Sequence, residues 1–433
     1  MRDALFWIWL SLRVTPGSAT FPSIIKAFSD IYDVYTADRE ALTDALPKNC
    51  RDLEALSDKS IEDAKRVLTY CNRAGIVPIA YDDARFPASL RKIKAPPVML
   101  YCRGQIPAWN EKLCVSIVGT RRMNRYGMQM TFEVARDLSV AGVIVISGMA
   151  RGIDAVANAA AINGGGQTVA VLGSGLDIIY PPEHEKLAAF ITRHGCLVSE
   201  FPPGTRPTGL NFPIRNRIIS GMATAVAVMQ GDLESGSLIT ARHATLQEKT
   251  LFALPGPVND PLSGAPCLLL REGAHTLTCA DDILTYYAEE YYGKINIQRL
   301  LTTAPVLCEK VLADFRIRIP GCDISPSPGS DRSLKTVAPL KRAREVSHTV
   351  SVPPQEAAPE KPDRSPEPAC DKRLAGLPQE AADLYARLPE GKEIPADELA
   401  GDGMSVSKVM AVATLLEIRG LIRMQPGGRL LRC

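Results

Sequence analysis

Six short runs of apolar, largely β-branched residues recur through the middle of the chain, at Val115–Val118, Val143–Ile146, Thr168–Leu172, Cys196–Val198, Thr224–Met229 and Thr250–Leu254. Between them lie stretches with the apolar spacing of helices: Tyr126–Ala141, Asp154–Asn163, Glu183–His194 and Ser237–Gln247. Runs with no polar face, alternating with helices, predict right-handed crossovers and a parallel sheet covered on both sides. Gly142, Gly164 and Gly195 each follow a helical stretch, where a left-handed cap suits glycine. The pattern predicts an α/β, doubly wound Rossmann-like domain over residues 76–290.

The flanks read differently. Phe21–Phe28, Asp38–Leu46 and Ser60–Ala74 have the spacing of short helices, with Asp58 or Ser60 placed to cap the last. They predict a small helical domain of the SAM or helix-hairpin-helix kind over residues 1–75. Pro16–Ala19 lacks the second glycine of a helix-hairpin-helix turn, which weakens the case for DNA binding there. Ala4–Leu12 has the length of a secretory leader's apolar core, but its bulky aromatics and barely positive start favour a buried first helix.

Residues 318–373 are rich in Pro and Ser, with too few apolar side chains to offset the entropy of ordering; residues 291–373 read as an extension and linker. Over residues 374–433, helices at Leu377–Leu388, Ala396–Leu399 and Ser405–Arg419 precede a hairpin of Leu421–Met424 and Arg429–Arg432. That order predicts a winged-helix domain, with Ser405 capping the third helix and Gly420 closing it. The third helix carries only Lys408 and Arg419 as cations, opposed by Glu417, so duplex binding and a protein-interaction role stay equally open.

Charge changes the picture little. With 50 Lys+Arg against 48 Asp+Glu, the chain of 433 residues is no polybasic binder, yet a locally basic groove fits inside a balanced total. No apolar run approaches the roughly 18 residues of a membrane span. Eleven scattered cysteines without a Cys-x-x-Cys pair suit reduced thiols in a cytoplasm. Five histidines, none paired at ligand spacing, give no metal centre.

In a doubly wound sheet, ligands bind at the carboxyl ends of the strands. The loops there are Gly119–Arg122, Ser147–Asp154, Gly173–Gly175, Ser199–Gly204 and Gln230–Ser237. They combine small residues with Arg121, Arg122 and Arg151, the composition of a phosphate-binding edge. Gly173-x-Gly175 lacks the third glycine of a dinucleotide fingerprint, and no P-loop or nucleophile elbow occurs, so no nucleotide cofactor is expected. Asp154 reads as the N-cap of the following helix.

Several ordered strings resemble the DNA-processing protein A family: Ser116–Arg121, Ile146–Asp154, Thr168–Asp177, Tyr180-Pro181, Ser199–Gly204, Phe212–Ile219, Ser235–Arg242 and Leu254–Gly256. The resemblance covers about residues 1–285, and the terminal stretch resembles that family's optional winged helix. It implies a non-enzymatic, single-stranded DNA-binding protein of natural transformation and recombination, which protects incoming strands, works past single-strand-binding protein and loads the recombinase RecA. It also implies a homodimer, with Leu268, Leu269 and Leu270 near the interface.

Carried onto this sequence, the expected DNA contacts are Gly119, Thr120, Arg121, Arg122, Ser147, Gly148, Arg151, Gly152, Asn211, Phe212, Arg215, Asn216, Arg217, Ser235, Gly236 and Ser237. Backbone N–H groups at Gly119, Thr120, Ser147 and Gly148 are placed to hold phosphates without reading sequence, and Phe212 to stack on a base. Arg217 either contacts phosphate or pairs with a buried carboxylate such as Glu200. Asn158, Gln230, Gln247–Lys249 and Cys267 depart from the family pattern. Two rivals remain. One is a phosphoribohydrolase-like enzyme, whose Pro-Gly-Gly-x-Gly-Thr-x-x-Glu segment corresponds here to Ser235–Ala244 without the glutamate; the other is a small-nucleotide sensor.

Overall fold

The N-terminal apolar run is the first helix, α1 (Arg2–Ser11), with Ile8, Trp9 and Leu10 wholly buried. In this computed structural model the described residues are 2–302, 306–315, 317, 378–389, 391–400, 404–425 and 428–432. Helices α2 (Thr20–Ala27), α3 (Ile31–Thr36), α4 (Arg39–Ala45), α5 (Leu53–Ser57) and α6 (Glu62–Ala74) complete the N-terminal helices. The expected cap of α6 is absent. Asp58 is committed to Arg13 at 2.9 Å, and the indole of Trp9 donates to its carbonyl at 3.0 Å, so α6 begins beyond it.

The chain continues through β1 (Ile76–Ala80), α7 (Ala88–Arg91), β2 (Met99–Gly104), β3 (Cys114–Val118), α8 (Arg125–Val140), β4 (Ile144–Ser147), α9 (Ile153–Asn163) and β5 (Thr168–Val171). Next come α10 (Glu185–His194), β6 (Gly195–Ser199), α11 (Asn211–Met222), β7 (Ala225–Val228), α12 (Ser237–Leu246) and β8 (Thr250–Ala253). After these follow α13 (Gly264–Arg271), β9 (His275–Thr276), α14 (Ala280–Tyr286), α15 (Gln298–Thr302) and α16 (Cys308–Asp314). All six apolar runs are strands, as their lack of a polar face predicts.

The sheet runs β1-β2-β6-β5-β4-β3-β7-β8-β9. Strands β3 to β9 are parallel, whereas β1 and β2 add antiparallel at one edge. Successive strands step outward from β3 as far as β6; the chain then crosses back to β7 on the other side. That reversal opens a crevice at the carboxyl end of β3. Helices α8, α9 and α10 pack together as one layer, and α7, α11 and α12 form another. Strands β3 to β7 are buried along their whole length, the central layer of a two-faced core.

Two of the three expected helix-end glycines behave otherwise. Gly142 has φ +92°, but Gly164 is right-handed at −68° and Gly165 takes the positive φ, +73°. Gly195 opens β6 in an extended conformation, where a Cβ would strike the Thr168 carbonyl of the neighbouring strand.

Leu268 and Leu269, expected near a dimer interface, lie instead in the chain's own core at 5% and 3% exposure, and only Leu270 is half-buried. Helix α13 packs against β8, and Leu268 and Leu269 join the core cluster there. Leu269→Asp should therefore lose about 4 kcal/mol of stability by placing an unpaired charge in the core. Urea unfolding checks this; an equally stable variant whose mass alone is halved in light scattering would return Leu269 to an interface.

The C-terminal unit consists of α17 (Gln379–Arg387), β10 (Glu393–Pro395), α18 (Val406–Ile418), β11 (Ile422–Gln425) and β12 (Arg429–Arg432), with sheet order β10-β12-β11. Ser405 caps α18 by accepting from the Lys408 N–H at 3.2 Å, and Gly420 follows it at φ +67°, as expected. Ala396–Leu399, expected to be a helix, is a turn directly after Pro395. Leu384, Val412, Leu416 and Leu430 form this unit's own core. The Pro- and Ser-rich stretch lies outside the described residues; the described residues on its two sides belong to one compact unit. Among the described residues, no helix is long and apolar enough to cross a membrane.

Candidate nucleic-acid interface

The loops after β3 and β4 are built into each other. Thr120 donates its N–H to the Gln230 carbonyl at 2.6 Å, and Ile153 donates to the Thr120 carbonyl at 3.2 Å. Gly152 sits between them at φ +77°, where a Cβ would collide with the Thr120 carbonyl, so no other residue fits. Gly148 is enclosed too: a Cβ there would lie 2.6 Å from the Arg215 guanidinium and 2.7 Å from the Asp154 carboxylate.

Those two charged side chains frame the loop from beneath. Asp154 accepts from the Gly148 N–H at 3.1 Å, and Arg215 donates to the Gly148 carbonyl at 2.9 Å and to the Val171 carbonyl. Burial pushes the Asp154 carboxyl up, opposed by the nearby Arg215, and pushes Arg215 down to about 10. Asp154 is therefore no helix cap: α9 starts from Gly152, and the carboxylate holds the preceding loop. His184 adds a bond from Nδ1 to the Met149 carbonyl at 2.9 Å.

Above this frame lies a cleft lined by Arg121, Gly148, Ala150, Arg151, Leu172, Gly173, Tyr180, Pro181, Phe212 and Arg215. Phe212, half-buried at the start of α11, carries Arg121 at 5.7 Å and Arg215 at 6.0 Å from its ring, and Tyr180 lies beside it at 5.5 Å. Arg121 and Arg122 are exposed. Arg151 is exposed as well and pairs with Glu183 at 2.5 Å, which raises the arginine and lowers the carboxylate. Exposed guanidinium groups around two aromatic rings can take a phosphate on one side and a base on the other.

The structure thus brings Arg121, Gly148, Arg151, Phe212 and Arg215 into one cleft. Gly119, Thr120, Ser147 and Gly152 lie behind it as scaffold. Two of the N–H groups expected to hold phosphate are already used, those of Thr120 and Gly148, because the loops bond to one another. Asn211 fastens α11 to the β5 loop through the Gly173 carbonyl at 2.9 Å. Ser235 and Ser237 share a hydroxyl bond of 2.9 Å beside Gly236 at the start of α12, and Asn216 reaches the Gly236 carbonyl at 3.5 Å.

Arg217 is not at the loop edge. It is 5% exposed and donates to both Glu200 oxygens at 2.5 and 2.6 Å, beneath the N-terminal domain's Gly17, so the buried-pair reading holds. Asn158 and Gln230 also miss the cleft. Asn158 is buried and donates to Thr168 Oγ1 at 2.8 Å, while the Gln230 amide ties to Asn124 at 2.9 Å. Leu172, Ala150, Tyr180 and Pro181 also line the cleft; none of them was among the expected contacts, although Ala150 lies in the β4 loop and Tyr180-Pro181 is one of the strings that carry the resemblance. Among the described residues, no three His, Cys, Asp or Glu side chains gather at metal-ligand spacing.

A family model described as DNA recombination-mediator protein A matches residues 78–288. The chain is 39% identical over 218 residues to a DNA processing protein DprA of Bacillus subtilis, covering 50% of this chain and 73% of that protein. It is 41% identical over 207 residues to the Smf protein of Escherichia coli, covering 48% of this chain and 55% of that relative. The X-ray structure of DNA processing protein A from Streptococcus pneumoniae aligns with a TM-score of 0.55 at 28% identity, over 64% of this chain and 97% of its own.

Proposed function

Because this chain belongs to the DNA recombination-mediator protein A family, we propose that it binds single-stranded DNA along the carboxyl edge of its sheet. One observation carries the reading: exposed Arg121 and Arg151 flank the Phe212–Tyr180 aromatic pair in a single cleft. Arginines meet phosphates regardless of sequence, and an aromatic face accepts any base. The carboxylates beside the cleft are engaged, Asp154 with Gly148 and Glu183 with Arg151, which supports binding over a bond-breaking step.

The finer role is strand delivery. The protein protects incoming strands in the cytoplasm and, as a homodimer, loads RecA onto them past single-strand-binding protein. Its test is RecA assembly on strands already coated with single-strand-binding protein: acceleration by this chain supports loading, and an unchanged rate confines the function to strand binding.

The strand-binding step has its own signature. With Arg121 neutralising one phosphate, and Arg151 a second only if it exchanges Glu183 for the strand, log K should fall with log salt by about 0.7 to 1.4, from roughly 0.7 per phosphate on a single strand. Fluorescence anisotropy with a labelled oligonucleotide measures this slope, and an affinity flat in salt would remove the cleft from DNA binding.

A further inference from the structure

Helix α18, the third helix of the expected winged-helix domain, for which duplex binding and protein interaction stood equally open, is turned inward. Near its C-terminal end Glu417 pairs with Arg242 of α12, with side-chain exposures of 15% and 7%, and also accepts from the Met424 N–H at 2.8 Å. At its N-terminal end Lys408 reaches Glu234, just before the Ser235–Ser237 loop, at 3.3 Å and Glu380 of α17 at 3.1 Å. Between these points Leu415 is wholly buried among the α/β domain's core residues, with Leu238, Ala241 and Ala244, and not in the C-terminal unit's own core. Both Lys408 and Glu417 are thus used within the molecule, and the apolar middle is used as well.

The chemistry of the contact is that of a closure and not of a permanent core. Burial pushes Arg242 down to about 10, so the guanidinium is stable there only while a carboxylate faces it. The Lys408 bridges are half-exposed and open to competition by salt. A small apolar contact at Leu415 framed by two ion pairs is the kind of interface expected to separate without unfolding either side.

We propose that the C-terminal unit is a salt-sensitive latch closed on α12, which withholds α18 from any outside partner while it is shut. The latch sits beside Ser235, on the helix that also carries one of the strand-end loops, so its position is available to report on that loop. The inference rests on the contacts of α12 and α18 alone and stands whatever fills the cleft.

The test inserts a protease site into the sequence between residues 322 and 372, cleaves the folded chain, and follows the two fragments by size exclusion at low and high salt. The wild-type fragments are expected to co-elute at low salt and to separate as salt rises. Arg242→Glu should weaken their association by about 100-fold or more, the effect of leaving a buried carboxylate without its partner. Arg242→Glu combined with Glu417→Arg should restore it. Lys408→Glu, at a half-exposed position that does not threaten folding, should weaken it about 2- to 5-fold. Wild-type fragments that separate at low salt, or charge reversals that leave co-elution intact, overturn the latch.

Discussion

Glu200→Ala is expected to lower the unfolding free energy by about 3–5 kcal/mol, the loss that follows removal of one partner from a buried ion pair. Glu200 follows β6 at 7% exposure and Arg217 lies in α11 at 5%, so neither charge has water to fall back on. The guanidinium gives both oxygens one nitrogen, Nη2, at 2.5 and 2.6 Å, while its Nε and Nη1 are buried without another partner. Removing the carboxylate leaves an uncompensated cation in the interior. Burial raises the Glu200 carboxyl and Arg217 lowers it, with burial the larger effect.

Replacing both residues together, as Glu200→Leu with Arg217→Met, should cost far less, because apolar groups of similar volume need no partner. Urea unfolding of the two variants against the unaltered protein separates the readings. A loss below about 1 kcal/mol in Glu200→Ala would mean that the pair is not desolvated. Under conditions where each variant stays folded, single-strand affinity should be unchanged, since neither Arg217 nor Glu200 lines the cleft.

Phe212→Ala is expected to weaken single-strand binding by about 1–3 kcal/mol, roughly 5- to 150-fold, and by similar factors for every base composition. The ring is half-buried, backed by Gly173 and flanked by Tyr180, so it presents a fixed face. It also supports the Arg121 guanidinium at 5.7 Å, so its loss frees that side chain as well as removing a stacking surface. The effects of Phe212→Ala and Arg121→Ala should accordingly sum to more than the double variant loses. Anisotropy titrations with homopolymeric oligonucleotides measure both quantities. Wild-type affinity in Phe212→Ala, or a loss confined to one base, would take the ring out of strand contact.

The sheet was legible because β3 to β8 are apolar on both faces and regularly interrupted by helices. Strands β1 and β2 were not: Pro78 breaks the pattern, tolerable because β1 is an edge strand whose missing N–H costs no ladder bond. The cleft was legible as a set of strand-end loops, since topology alone brings carboxyl ends together.

What sequence could not give is which donors are already spent. Glu200 was one of two partners open to Arg217, and a separation of 17 residues cannot decide between them; Gln230, which takes the Thr120 N–H, follows the neighbouring strand β7, with no spacing signal to link the two. Leu268–Leu270 look alike as residue types, and only the seat of α13 on β8 decides that two of them point inward. Ala396–Leu399 is too short for helical periodicity to outweigh the proline before it.

The mutual backbone bonds of the Thr120, Gly152 and Gln230 segments have an evolutionary and an energetic side. Gln230 holds Thr120 through its main-chain oxygen, so this bond of the cleft floor does not depend on the side chain, which is spent instead on Asn124. Shape is stored in peptide groups and charge in the removable rim of Arg121 and Arg151, which lets the two vary independently. A floor already locked before any ligand arrives also leaves most of the ordering entropy of binding to the ligand, so affinity should respond more to how stiff a strand is than to substitutions beneath the rim.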